Sequence, residues 1–280
     1  MLTFHQSEID LILSGISAGK TDSDLGFFSK PFSLNYNNQE LIIKMYHPIK
    51  NYTIVAAIID NHDRYIAELR SMGIKLPDTI IRSRKIKNKY QIIIIQEAFR
   101  KSELLRSLIE KSSEPELLNL CKLILDDTMK FWKDRKESAD IGFHPTLRNY
   151  ALRKGDLYYF DTFPPMLLKQ RELNKIIIRM SPFGKLFKIF IPLRMINFVS
   201  DEYYNFQKMF TGIVGSCCRL RPQNASEILN FSRRYIDNTS RSAQEKQNII
   251  NALQSPPNLP RLWTFFRSLS GNVGKPNIKT

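Results

Sequence analysis

The chain has 280 residues, 42% hydrophobic and 25% charged, enough to bury a large core as one two-lobed domain or two small ones. Its 42 Lys and Arg outnumber 27 Asp and Glu, and the net charge of +15 fits phosphorylated ligands, nucleic acid, an anionic membrane surface, or simply a solvated basic exterior. Three cysteines exclude a disulfide framework, and four scattered histidines with no Cys-x-x-Cys argue against structural zinc. The opening Met1–Gln6 lacks the basic start and apolar core of a signal peptide, and no apolar run is long enough to span a bilayer, so the sequence predicts a cytoplasmic protein.

In chain order, Ser7–Ser14 reads as a short helix ending at Gly15. Ser14–Thr21 (SGISAGKT) is one residue short of a Walker A loop, because Ser14 stands where the first Gly is needed. The following Asp22-Ser23-Asp24-Leu25-Gly26 makes a poor first turn for the helix such a loop requires, which favours a flexible loop. Phe32–Tyr36 alternates, Asn37–Glu40 turns and Leu41–Tyr46 is a second strand, closed by His47-Pro48. Lys44 lies inside that apolar strand. Asn51–Met72 reads as a long helix with Ile54, Ile58, Ile66 and Leu69 on one face and Gly73 as its stop. Thr79–Arg84 and Tyr90–Gln96 form two strands around a basic turn, and the four consecutive isoleucines of the second predict burial on both faces. Gln96-Glu97-Ala98-Phe99 ends this run. Helices follow at Ser102–Glu110 and Pro115–Arg135.

The stretch from Asp140 to Met166 carries the chemistry. A polar turn, His144-Pro145-Thr146-Leu147-Arg148-Asn149, leads into Tyr150-Ala151-Leu152. The turn Arg153-Lys154-Gly155-Asp156 follows, then Leu157-Tyr158-Tyr159-Phe160 and Asp161. This is a β-hairpin whose two ends, Asn149 and Asp161, meet in space. An amide oxygen beside a carboxylate makes a hard-cation site, above all for Mg²⁺ on a nucleotide phosphate.

The segment resembles the catalytic loop and metal-binding Asp of the protein-kinase-like phosphotransferases, in their aminoglycoside and small-molecule kinase branch. The order over Phe27–Pro165 (strand pair, helix, strand pair, hinge, helices, loop, hairpin) is similar too. The resemblance implies an α+β, two-lobed kinase-like fold. Residues 1–98 would form an antiparallel-sheet lobe with one long helix, 99–270 a mainly helical lobe, and 271–280 a flexible basic tail. It implies ATP and Mg²⁺ as cofactors and an unidentified small-molecule acceptor as partner. Lys44 would clamp the nucleotide with an acid from the long helix, Glu68 first, with Asp63 and Asp60 as rivals. Gln96, Glu97, Ala98 and Phe99 would line the hinge and adenine pocket. Asn149 and Asp161 would hold the metal, and Arg148 or Lys154 would add positive charge. The family's catalytic Asp is replaced by His144. That imidazole is either a base in its own right or a sign that transfer has been lost. Asp140 reaches the site only with a longer loop.

The family's Gly, two residues beyond the metal Asp, is here Phe163, followed by Pro164-Pro165. After it comes a basic-apolar stretch, Lys175–Ile196, broken by Pro182, Gly184 and Pro192 and read as core of the second lobe rather than membrane-surface helix. Tyr203–Cys217, Ala225–Ile236 and Ser240–Gln254 read as helices, with Leu262–Phe266 as a last short one. Arg233 and Arg234 are surface residues or phosphate contacts. Three functions stand: a small-molecule phosphotransferase, a kinase-like nucleotide or partner binder without transfer, and a basic nucleic-acid- or membrane-binding protein.

Overall fold

A computed structural model describes residues 6–14, 31–135, 141–167, 175–176 and 201–257. Helix α1 (Gln6–Ser14) precedes strands β1 (Phe32–Tyr36) and β2 (Gln39–Met45). Helix α2 (Tyr52–Ser71) leads to β3 (Thr79–Ile86) and β4 (Lys89–Glu97). Helices α3 (Leu105–Lys111) and α4 (Glu114–Asp134) come before the hairpin β5 (Tyr150–Arg153) and β6 (Asp156–Tyr159). Helices α5 (Phe206–Leu220), α6 (Ala225–Asp237) and α7 (Ala243–Ala252) follow. The architecture is therefore the expected α+β, a small antiparallel sheet in the N-terminal part and helices in the C-terminal part. The loop-like segment Gly15–Thr21, Asp140, Ile177–Ile196, the 262–266 helix and the tail lie outside the described residues.

The four strands pair antiparallel in the order β1-β2-β4-β3. Alternation sorts their side chains onto two faces. Leu41, Ile43, Ile93 and Ile95 pack with Ile9 and Ile12 of α1 on one face. Ile81, Ile92 and Ile94 pack with Val55 and Ile58 of α2, Tyr46 and Phe163 on the other. The run Ile92–Ile95 is thus buried on both faces, as its composition predicts. Lys44 is in register with Ile94, so it points to the face that α2 and Phe163 cover.

Helix α2 is bounded as its sequence predicts. The Asn51 side chain accepts a hydrogen bond from the Ile54 amide (3.3 Å), and Gly73 takes the left-handed conformation (φ 74°) just past the end. Its buried stripe is Val55, Ile58, His62, Tyr65, Ile66 and Leu69. The first half of that stripe faces the sheet. The second half enters the main core with α3, α4, the hairpin and α5–α7. One helix therefore ties both parts, and the Tyr65 hydroxyl reinforces the tie by donating to the Gly142 carbonyl (3.0 Å).

Helix α3 begins later than its amphipathic pattern suggests. The Leu152 amide donates to the Glu103 carbonyl (2.8 Å), and Leu104 bridges to Ala151, so the residues before α3 are held extended against the hairpin. Arg221 closes the other end by donating to the carbonyls of Ile109 (2.8 Å) and Ser112 (2.7 Å).

Helix α4 carries one costly group under the hairpin. Asp127 is 3% exposed, with Lys130 at 3.4 Å from its Oδ1 and the buried Tyr150 hydroxyl nearby. Burial is the main cause that pushes its carboxyl up from 3.8 to about 6. The folded state then holds a proton that the unfolded chain releases, so stability falls as pH rises from about 4 to about 6. Asp127→Asn is expected to raise stability by about 1–3 kcal/mol above pH 6. The gain should shrink to nothing near pH 4, which paired thermal melts at pH 4 and 7.5 would check.

Candidate functional site: the hairpin end beneath the sheet

The hairpin register sets the geometry. Tyr150 pairs with Tyr159 and Arg153 with Asp156, around a turn in which Lys154 (φ 54°) and Gly155 (φ 84°) are both left-handed. At the open end the Phe160 amide donates to the Asn149 carbonyl (2.9 Å). Asn149 and Asp161 therefore flank one hydrogen bond. Asn149 closes a short 3-10 turn, Leu147–Asn149, whose last amide bonds the Thr146 carbonyl (2.9 Å). Its side-chain Nδ2 donates to the His144 carbonyl (3.0 Å), which fixes the amide's orientation. Asn149 is 7% exposed. Among the described residues no three His, Cys, Asp or Glu side chains cluster. A Mg²⁺ carried on a nucleotide needs only one or two protein ligands.

Lys44 comes to the same place from the sheet. Its ammonium donates to the Phe160 carbonyl (3.2 Å), lies 3.9 Å from Asp161 Oδ1, and sits 5.8 Å from the Phe160 ring centre. The Lys44 side chain is 13% exposed and that of Asp161 38%. Burial lowers the Lys44 pKa and raises that of Asp161, and each partner's charge opposes the other's shift. The result is a buried cation with a half-open carboxylate in front of it. An incoming anion and a metal can replace that long contact.

The helix acids do not meet Lys44. Glu68 is six residues from His62, about 240° round the helix, and is exposed. Asp60 pairs with Arg64 (3.9 Å) on the outer surface, with 71% of its side chain exposed. The Asp63 side chain is 65% exposed and approaches only the His62 ring (4.0 Å). The residue that α2 presents to the site is His62 itself. Its Nε2 bonds Thr162 Oγ1 (2.9 Å), one residue past Asp161, and its Nδ1 is buried without a hydrogen bond. Burial lowers its pKa, so the imidazole is neutral at pH 7. A signal for it existed, because His62 lies four residues from both Ile58 and Ile66 on the apolar stripe.

The hinge segment is held by a residue that sequence reasoning treats as part of a turn. Arg153 pairs with Glu97 (2.5 Å) and Glu103 (2.8 Å) and donates to the Ala98 carbonyl (2.6 Å). Its guanidinium also stacks over Phe99 at 4.3 Å. The Ala98 amide bonds the Glu40 carbonyl (3.1 Å) and the Glu97 amide that of Asp78 (2.9 Å). Three hinge groups are therefore already engaged. Phe99 packs against Tyr158 (5.5 Å) and Phe160 (5.9 Å) of the hairpin. Gln96 donates to Thr79 Oγ1 (2.9 Å).

His144 is half-buried. Its ring packs against that of Tyr203 at a tilt of 49° (4.4 Å between centres), and its Nδ1 is 3.5 Å from Asn149 Nδ2. Lys154 is exposed on the turn, at the opposite end of the hairpin from Asn149 and Asp161, and adds no charge to the site. Arg148 is half-buried in the turn beside Asn149. Arg233 and Arg234 lie on α6 beside Glu114 of α4, apart from the hairpin end. No helix among the described residues is long and apolar enough to cross a membrane.

No curated protein matches the chain. Among solved structures, the proinflammatory kinase CtkA of Helicobacter pylori is similar at 15% identity and a TM-score of 0.31, over 83% of this chain and 89% of that one. A MAP kinase of Leishmania major is similar at 13% identity and a TM-score of 0.33, over 90% of this chain and 81% of that one. Scores of that size do not establish a shared fold, so the architecture rests on the chain's own pairing and packing. A family model does match, over residues 14–274. The chain belongs to the family of unknown function DUF6206.

Proposed function

We propose that this chain is a kinase-like, ATP-dependent phosphotransferase acting on a small-molecule acceptor. The observation that carries the reading is the meeting of Lys44, from the sheet, with Asp161 at the hairpin end where Asn149 also stands. Two parts far apart in sequence supply a buried cation, a carboxylate and an amide oxygen to one place. That is the donor set which a metal-nucleotide phosphate requires. Mg²⁺ on ATP would neutralise charge on the transferred phosphoryl group. Asn149 Oδ1 and the Asp161 carboxylate would hold the metal, and Lys44 would pair with phosphate oxygens. Phe99 would form one wall for the base. His144 would take the acceptor hydroxyl's proton at a ring nitrogen, held by its tilted packing against Tyr203.

A second reading, nucleotide binding without transfer, draws support from two observations. In the resemblance drawn from the sequence, His144 stands where the kinase-like family carries a carboxylate. Arg153 and the neighbouring strands already bind the polar groups of the hinge. Incubating the protein with Mg·ATP and small hydroxylated or aminated acceptors, and measuring ADP release, separates the two. Transfer predicts release that His144→Ala lowers by at least about 100-fold. Binding alone predicts a Mg·ATP-dependent rise in melting temperature with no release.

A further inference from the structure

We propose that the tip of the β3–β4 hairpin, with the start of α2, is a docking surface for single-stranded nucleic acid. This does not rest on the nucleotide reading. The Ile49 and Tyr90 backbones bridge (2.8 and 2.7 Å), which brings the segment before α2 against the hairpin. The Tyr52 ring then lies 4.9 Å from that of Tyr90. Tyr52 is 55% exposed, one of only two large hydrophobic side chains so open among the described residues. Lys50 precedes it, Lys85 is in register with Tyr90 and shares its face, Lys87 is in the turn and Lys89 opens β4.

The charge at this tip is unbalanced. Every charged side chain between Thr79 and Gln96 is basic. Lys50, Lys85, Lys87 and Lys89 make no ion pair with any described residue, so no carboxylate offsets the four charges gathered there. A flat ring propped open by a second ring, ringed by free ammonium groups, suits a partner with alternating planar bases and phosphates. Bases of any identity stack on a tyrosine face, and single strands leave those faces accessible. An anionic membrane surface would draw on the same lysines but would need apolar side chains to insert, and Tyr52 alone, already packed on Tyr90, supplies little. The tip is also separate from the hairpin-end site. Tyr90 is four residues along β4 from Ile94, the register partner of Lys44, or about 13 Å.

The test is fluorescence anisotropy of the full chain with a labelled single-stranded 12-mer, at salt from 50 to 200 mM. Binding is expected to weaken with salt with a logarithmic slope of about −3, four phosphates at about 0.7 each. Tyr52→Ala should weaken it about tenfold, and the triple variant Lys85→Glu, Lys87→Glu, Lys89→Glu should abolish it. Lys44→Met should leave it unchanged. Tyr52, Lys85 and Lys87 are exposed and Lys89 is half-buried, and circular dichroism melts matching the unmodified chain confirm the fold. Affinity unmoved by both tip variants overturns the proposal, as does no binding at 50 mM salt and 10 μM protein (~10 μM probe range for weak non-specific binding). Tighter capture by phosphatidylserine vesicles than by the oligonucleotide, lost in the same variants, overturns it in favour of a membrane.

Discussion

If the proposed nucleotide site is real, Mg·ATP raises the melting temperature of this protein and Asp161→Ala is expected to abolish that rise. A ligand present at about 100 times its Kd stabilises the folded state by about 2.7 kcal/mol. That is a shift of several degrees for a chain of this size. Removing Asp161 takes away one of the two proposed metal ligands and leaves Asn149 alone at the hairpin end. It also removes the one carboxylate near Lys44 among the described residues, and the Lys44 side chain is 13% exposed. The pair is long (3.9 Å) and Asp161 is 38% open to solvent, so the cost to the ligand-free protein is put at about 1 kcal/mol. The double variant Lys44→Met, Asp161→Ala removes the uncompensated cation and should recover part of that loss. It should not recover the response to Mg·ATP. Differential scanning fluorimetry with Mg·ATP, ATP plus EDTA, and no ligand reads all three effects. A full shift retained in Asp161→Ala would remove the metal role from this residue.

The second large effect is structural. Arg153→Ala should destabilise the chain by about 2 kcal/mol and weaken nucleotide binding together. The guanidinium pairs with Glu97 and Glu103, donates to the Ala98 carbonyl, and stacks on Phe99. Truncation leaves two carboxylates facing each other and a carbonyl without its donor. The side chains are between a fifth and a third exposed, so water softens the penalty. Arg153→Lys keeps the charge but loses the planar fork and the stacking, and should recover less than half. Urea unfolding with a midpoint shift and unchanged slope is the diagnostic. Like stability for Arg153→Ala and the unmodified chain would mean the hinge is held by its strand pairing alone.

Local chemistry made most of the fold legible. Asn51 and Gly73 bound α2, the four isoleucines mark a strand with two covered faces, and Lys154-Gly155 turns the hairpin that brings Asn149 to Phe160. Each of these is written within a few residues. The orientation of Lys44 was not, because a lysine in an apolar strand fits either face until its register with Ile94 is known. Glu68 misleads for the opposite reason. It stands beside Leu69 on the sequence, but the stripe through Ile58, Tyr65 and Ile66 turns it to solvent and brings His62 inward. Arg153 left no local trace at all, since its partners Glu97 and Glu103 are 56 and 50 positions away. Asp127 likewise reads as an ordinary polar position on an amphipathic helix. Only the hairpin folded over it makes it a buried acid.

The most direct measurement is a structure of the chain with Mg²⁺ and a non-hydrolysable ATP analogue. The account predicts the metal about 2.1 Å from Asn149 Oδ1 and from an Asp161 oxygen. It also predicts Lys44 Nζ on a phosphate oxygen and Phe99 against the base. A nucleotide bound elsewhere, with Lys44 still on the Phe160 carbonyl and no metal between Asn149 and Asp161, would contradict it.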